Sequence, residues 1–280
     1  MGSTSLEIAR DQWPELRNLY ASDRTNLTGF DLIEYFINYK PTPSVESIKI
    51  YTTDKDWIIH GSYILTHHFD TKAYIYLDTV RGSLEDLRSL LCSLNPKKFH
   101  LICGYEERLK PIVESYWLHL GQDLEKLEHQ GTIVYHLPSN KVPNWEPSLY
   151  PSIKVAYLSS KYADLVDQHW AYRSADSIPL IRGFMENNVS AGVFETLGEP
   201  LAWCLRSPHG SLCNLHVLPT HRRKGLGSLA VLFMAHEIKA TGSEVLATVV
   251  PENQSSRKMF EKLGFKDTSK LYWAVMPSTP

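Results

Sequence analysis

The residues best placed to do chemistry lie between Leu215 and Gly227, in the run Leu-His-Val-Leu-Pro-Thr-His-Arg-Arg-Lys-Gly-Leu-Gly. A strand-like stretch ends at Pro219, a basic turn follows, two glycines come next, and an apolar helical run extends to about Ala240. That order suits a phosphorylated ligand. Gly225 and Gly227 remove Cβ atoms where backbone must approach phosphate oxygens. The free N–H groups of the first helical turn, at Leu226, Gly227 and Ser228, then face the anion with the helix dipole behind them. Arg222, Arg223 and Lys224 are either a solvated helix start or the cationic rim of the site. Positive charge at a helix N-terminus is unfavourable, so three basic residues there point to an anion that offsets the cost.

Two familiar phosphate motifs do not fit. Gly225-Leu-Gly-Ser-Leu-Ala230 has the spacing of a dinucleotide fingerprint. In that fold, however, the first glycine follows its strand directly, an acid closes a second strand some 20 residues on, and further strands follow. Here Pro-Thr-His-Arg-Arg-Lys intervenes, the acid is Glu244 at a strand start, and little chain remains. No Gly-Lys-Ser/Thr follows the glycines, which excludes a P-loop.

Bulk composition narrows the class. A net charge of −2 gives no global affinity for nucleic acid or membrane, so any basic patch is local. Cys92, Cys103, Cys204 and Cys213 lack metal-type or Cys-x-x-Cys spacing, and free thiols in a reducing compartment are expected. No metal site is expected. The first residues carry early acids and no apolar segment, which predicts neither a signal nor a transit peptide. A cytoplasmic location is expected, with a mitochondrial one left open. No apolar run is long enough to span a membrane.

The elements that position the turn fall into two similar lists. Residues 5–40 read as two helices; Ser47–Tyr51, Trp57–Leu65 and Ala73–Asp78 read as strands. Ser83–Leu94 is a helix capped by Ser83, with Asp86 three residues on. A strand at Phe99–Cys103, a helix at Leu109–Leu120 and a strand at Thr132–Leu137 complete the first half. Prolines at 138, 143, 147 and 151 mark a linker. The expected division is residues 1–140, a linker at 141–151 and residues 152–280. The second half reads β-α-α-β-β-β-α-β-α-β, nearly the order of the first, which suggests a diverged duplication. Asn253 is placed to cap the helix at 255–263.

Arg222-x-x-Gly225-x-Gly227 resembles the (Q/R)-x-x-G-x-G/A loop of the Gcn5-related N-acetyltransferase superfamily, which cradles the pyrophosphate of coenzyme A. The segment from Val249 to Phe265, with Asn253, a helix, an aromatic, a lysine and Leu-Gly-Phe, resembles that superfamily's other cofactor motif. The resemblance covers residues 153–276. Pro200-Leu-Ala-Trp203-Cys-Leu, Gly210 and Leu218-Pro-Thr-His-Arg222-Arg-Lys-Gly-Leu look most like the glycine N-acyltransferase-like family, which carries a degenerate half before its catalytic half.

The resemblance implies an α/β (α+β) class: two tandem acyltransferase-like domains, each a mixed, mostly antiparallel sheet flanked by helices, the first degenerate. It implies acetyl-CoA or another acyl-CoA as cosubstrate, with a small amine or amino acid as acceptor. A monomer is plausible on this reading. The implied cofactor contacts are Leu215, Val217, Leu218, Arg222, Arg223, Lys224, Gly225, Leu226, Gly227, Ser228, Asn253 and Ser256. Arg257 and Lys258 either reach the nucleotide's 3′-phosphate or lie on an exposed face.

The chemistry implied is N-acyl transfer, in which a base relieves the amine of a proton and a backbone N–H near Val217 meets the oxyanion. The superfamily's tyrosine acid falls at Phe260, which leaves Tyr272 or a water. The glutamate of the glycine acyltransferases falls at Ser211. His216 and His209 are substitute bases, with Glu195 and Glu199 more remote. Cys213 reads as packing, and Trp203 as core or acceptor-pocket wall. A protein acetyltransferase and a non-catalytic acyl-CoA binder are the competing functions.

Overall fold

The computed structural model describes residues 5–21, 27–40, 45–69, 72–94, 99–145, 152–174, 177–195 and 198–277. In chain order the first elements are β1 (Leu6–Ile8), α1 (Trp13–Ala21), α2 (Leu27–Ile37), β2 (Val45–Thr52), α3 (Trp57–His60), β3 (Tyr63–Phe69) and β4 (Ala73–Asp78). Next come α4 (Leu84–Ser93), β5 (Phe99–Glu106), α5 (Lys110–His119), β6 (Gln130–Leu137), β7 (Ile153–Tyr157), α6 (Ala163–Gln168) and α7 (Ser177–Asn187). The chain closes with β8 (Ser190–Glu195), β9 (Pro200–Arg206), β10 (Ser211–Val217), α8 (Leu226–Ala240), β11 (Val245–Val249), α9 (Gln254–Lys262) and β12 (Lys266–Val275).

Two compact units result, one of residues 1–132 with 270–280 and one of residues 133–269. The sheet of the first runs β1-β2-β3-β4-β5-β12; that of the second runs β7-β8-β9-β10-β11-β6. In each, one adjacent pair is parallel, β4 with β5 and β10 with β11, and the other registered pairs are antiparallel. The mixed, mostly antiparallel architecture with flanking helices is therefore present twice. Most of β6 counts with the second unit and the end of β12 with the first. Val142, inside the expected linker, is buried in the second unit's core, where Trp145 also packs; residues 146–151 lie outside the described residues.

The core of the second unit forms where α8 lays Leu226, Leu229, Ala230, Phe233 and Met234 against Ala202, Cys204, Leu212 and Ala247 of the sheet. Burying each large apolar side chain contributes about 1.5–3 kcal/mol, so this helix is held mainly by packing. In the first unit, Leu87, Leu90 and Leu91 of α4 and Val113 and Tyr116 of α5 cover Ile64, Ile75 and Ile102.

Two expectations give way locally. The first helical region opens with a short strand, β1, which pairs with β2 before α1 begins. The strand expected over Trp57–Leu65 divides: Trp57–His60 is a helical turn closed by Gly61 at φ 66°, and β3 starts at Tyr63. The Asp54 carboxylate accepts the Asp56 N–H at 2.7 Å and the His60 ring accepts the Ser62 N–H at 2.9 Å, so polar side chains satisfy the turn backbone. No helix among the described residues is long and apolar enough to cross a membrane. Among the same residues no group of three or more His, Cys, Asp or Glu is arranged to hold a metal ion.

Candidate active site

The site begins with a register shift. Cys213 stands opposite Leu205 but His216 opposite Trp203, so β10 carries one extra residue against β9. The bulge centres on Asn214, whose φ is 47°. Asparagine tolerates that left-handed region better than most residues. Bulges bend a strand and re-aim its side chains. Registered pairing of β10 with parallel β11 is confined to Ser211–Leu246 and Leu212–Ala247, before the bulge.

Beyond the bulge one edge of β10 faces away from β9. The Leu218 N–H donates to the Leu201 carbonyl at 2.9 Å. With Val217 opposite Ala202, antiparallel alternation turns the N–H and C=O of Val217 the other way. Its carbonyl accepts from Arg222 Nε at 3.2 Å. The side chains of Leu215, Val217 and Leu218 pack on the unit's core. The expected contacts of these three residues with a ligand are thus left to their backbone.

The basic turn follows directly. Pro219–His221 forms a 3₁₀ turn, Arg223 has φ 64°, and Gly225 stands at φ 82° as the N-cap of α8. Gly225 lacks a Cβ, so its left-handed conformation is free of the usual penalty. No side chain caps α8 and its first turn holds no acid. Leu226 and Gly227 are buried, whereas Arg222, Arg223, Lys224 and Gly225 are exposed and Ser228 is half-buried. A Cβ at Gly227 would stand 3.3 Å from Val217 Cγ2 and 3.5 Å from Met259 Sδ. Gly227 therefore lets the helix seat against β10 and α9. Open helix N–H groups, exposed cations and a left-handed glycine suit a pyrophosphate.

The corresponding helix of the first unit is closed. Ser83 caps α4 by accepting the Asp86 N–H, and Glu85 and Asp86 occupy its first turn. Its orphan donors have a built-in acceptor, and its charge repels an anion.

Asn253 caps α9, its Oδ1 accepting the Ser256 N–H at 3.1 Å. Arg257 donates to the Tyr135 hydroxyl at 3.2 Å and to the Pro251 carbonyl at 3.3 Å, which ties it to its own unit. Phe260 is buried between Tyr135 and Phe265 and carries no proton to give.

The substitute acid and base residues separate. His216 is half-buried, and its Nε2 is out of reach of solvent with no hydrogen-bond partner among the described residues. Burial, then His169, then Arg222 lower its pKa from 6.5 to about 4, so the ring is neutral at physiological pH. Ser211 is buried at the far end of β10, where its hydroxyl meets Ser207 at 2.9 Å and Thr248 at 3.4 Å. His209 is also buried, in the turn before it. Burial pushes the Cys213 thiol up to about 12, which suits packing. Tyr272 belongs to the first unit, where its hydroxyl donates to Glu107 at 3.1 Å. Glu195 closes β8 and is exposed, as is Glu199. Two residues of the site were not foreseen. His169 and Asn214 carry no local motif; a bulge and a tertiary ring contact place them.

This geometry agrees with the comparisons. Residues 183–274 match the FR47-like protein family. A Drosophila protein superposes with a TM-score of 0.86 at 17% identity, both chains covered over 100%. A tandem GNAT protein from the clavulanic acid biosynthesis pathway gives 0.61 at 12% identity, with 99% of each chain covered. A putative acetyltransferase from Pyrococcus horikoshii gives 0.61 at 11%, covering 100% of this chain and 90% of that one. The protein has the Gcn5-related N-acetyltransferase (GNAT) fold in tandem, with an FR47-like domain over residues 183–274.

Proposed function

We propose that the protein is an acyl-CoA-dependent N-acyltransferase whose second unit transfers an acyl group to the amine of a small molecule or amino acid, as in the glycine N-acyltransferase-like family. One observation carries this reading: the uncapped N-terminus of α8 adjoins the free edge of β10 at Val217. A cosubstrate with a pyrophosphate at one end and an extended amide-bearing arm at the other would use both. Arg222, Arg223, Lys224 and the N–H groups of Leu226, Gly227 and Ser228 would hold the pyrophosphate. The arm would pair with β10 as an added strand.

When bound, the thioester supplies an activated acyl carbon. The Val217 N–H is the backbone donor for the charge that develops on its carbonyl oxygen. The neutral His216 ring accepts the proton that the attacking amine gives up. With Phe260 at the tyrosine position, the departing thiolate takes its proton from water.

The buried Phe260 and Ser211 also favour a second reading, an acyl-CoA binder without turnover. Thiol release from acetyl-, benzoyl- and longer acyl-CoA, with glycine, glutamine, simple amines and lysine peptides, separates the readings. Turnover on free amines supports the proposal. Tight binding with no thiol release on any acceptor supports the binder, and release on peptides alone supports a protein acetyltransferase.

A further inference from the structure

His216 does not stand alone. Its ring lies 4.9 Å from that of Trp203, its cross-strand partner on β9, at 23° between planes. On another side His169, the residue that ends α6, lies 4.6 Å away at 28°. The His169 and Trp203 rings are themselves 5.5 Å apart, so each ring touches the other two. Trp203 is fully buried and fixed by the sheet. His169 is exposed, on a corner held by side chains. Its N–H donates to the Val166 carbonyl at 3.2 Å, and the neighbouring buried Asp167 accepts from the Ser177 hydroxyl and faces Arg173 at 3.7 Å.

An exposed imidazole on a short helix contributes little to a core. Its contact here is with the ring whose Nε2 is buried and unpartnered. We propose that His169 is a positioning residue for the acyl-transfer site: with Trp203 it braces the His216 ring, so that the imidazole is held in place for the proton of the acceptor amine. The catalytic consequence rests on the N-acyltransferase reading; the control of His216 by His169 does not.

Two ionisable groups bear on His216, His169 from the end of α6 and Arg222 from the basic turn, while β9 contributes Trp203. Removing the His169 ring opens His216 to water and deletes one of those groups. Both effects raise the His216 titration midpoint. A phenyl ring at 169 keeps the cover and restores the brace.

The test compares His169→Ala and His169→Phe in the full chain. The His216 ring is titrated by NMR, and steady-state rates are measured with acyl-CoA and a productive amine. The Ala variant is expected to raise the midpoint and lower kcat about tenfold or more, as misplacement of a reacting group does. The KM for acyl-CoA should stay unchanged. The Phe variant should recover most of the rate and hold the midpoint below that of the Ala variant, raised from wild type only by the loss of the His169 charge. An unmoved midpoint in the Ala variant overturns the brace, and a moved midpoint with unchanged kcat overturns its role in transfer. If the wild-type protein turns over no acceptor, the N-acyltransferase reading and with it the role in transfer fall, while the titration still decides whether His169 controls His216.

Discussion

Arg222 Nε donates to the carbonyl of Val217 at 3.2 Å, so the basic turn folds back onto the strand it leaves. That bond gives the Arg-x-x-Gly-x-Gly spacing a physical meaning. Arg222 engages one backbone group of Val217 and leaves its N–H; Gly225 turns the chain at φ 82°; Gly227 lets α8 close against the Val217 side chain. The residues that recur in the motif are those that join strand and helix.

The two glycines should fail differently. Gly225→Ala places a Cβ in the left-handed region, which costs about 1–2 kcal/mol. A lower Tm and at least roughly tenfold weaker coenzyme A binding are expected, since the first N–H groups lose their aim. Gly227→Val drives branched carbons into Val217 and Met259 and should abolish coenzyme A binding with the circular dichroism retained. Calorimetry checks both, and unchanged affinity in the two variants would remove the cofactor from this turn.

Much of this site was legible in the sequence because it is local. The turn, the glycines, the Asn253 cap and the Ser83 cap are contiguous patterns whose physics acts within a few residues. The bulge at Asn214 was not legible, since it exists only as a register shift against β9. Nor was His169, which meets His216 across 47 residues of chain through a ring contact. Richness in Ile and Tyr between turn residues did predict strand over Trp57–Leu65; the turn chemistry of Asp54 and His60 prevailed there over β-propensity. The placement of β12 beside β5 follows from pairing that no local pattern encodes.

His216 should give the pH profile a low acid limb. Burial, His169 and Arg222 hold its pKa near 4, so the ring is already a neutral base across the physiological range. The rate term owed to this ring should be flat above about pH 5 and fall as pH drops through about 4. His216→Gln should lower kcat by about 10²–10⁴-fold without weakening acyl-CoA binding. Loss governed instead by a group titrating near 6.5 would take the base role from His216.

Only one coenzyme A should bind per chain. The first unit's counterpart helix is capped by Ser83 and carries Glu85 and Asp86, whereas α8 is uncapped and free of acids in its first turn. Calorimetric titration is expected to give a stoichiometry of about one. Ser83→Ala should cost about 1 kcal/mol of stability and leave that stoichiometry alone. A second equivalent, lost on Ser83 substitution, would show that the first unit is also a cofactor site.

His67 in the first unit should make the protein acid-sensitive. Its ring is buried against Phe36 at 5.2 Å, Tyr39 at 5.2 Å and Phe69 at 4.4 Å, and neither ring nitrogen has a hydrogen-bond partner among the described residues. Burial, with a smaller push from His68, lowers its pKa from 6.5 to about 3. The unfolded chain therefore binds a proton that the folded chain refuses between those two values. The stability this neutral ring contributes is complete above pH 6.5 and drains away as pH falls toward 3. One such group accounts for about 2 kcal/mol between pH 7 and pH 5. Urea unfolding at the two pH values measures the loss. His67→Phe keeps an aromatic ring in the cluster and removes the titration, so its stability should fall less by about that amount over the same interval. An equal pH slope in the variant would mean that other groups carry the acid sensitivity.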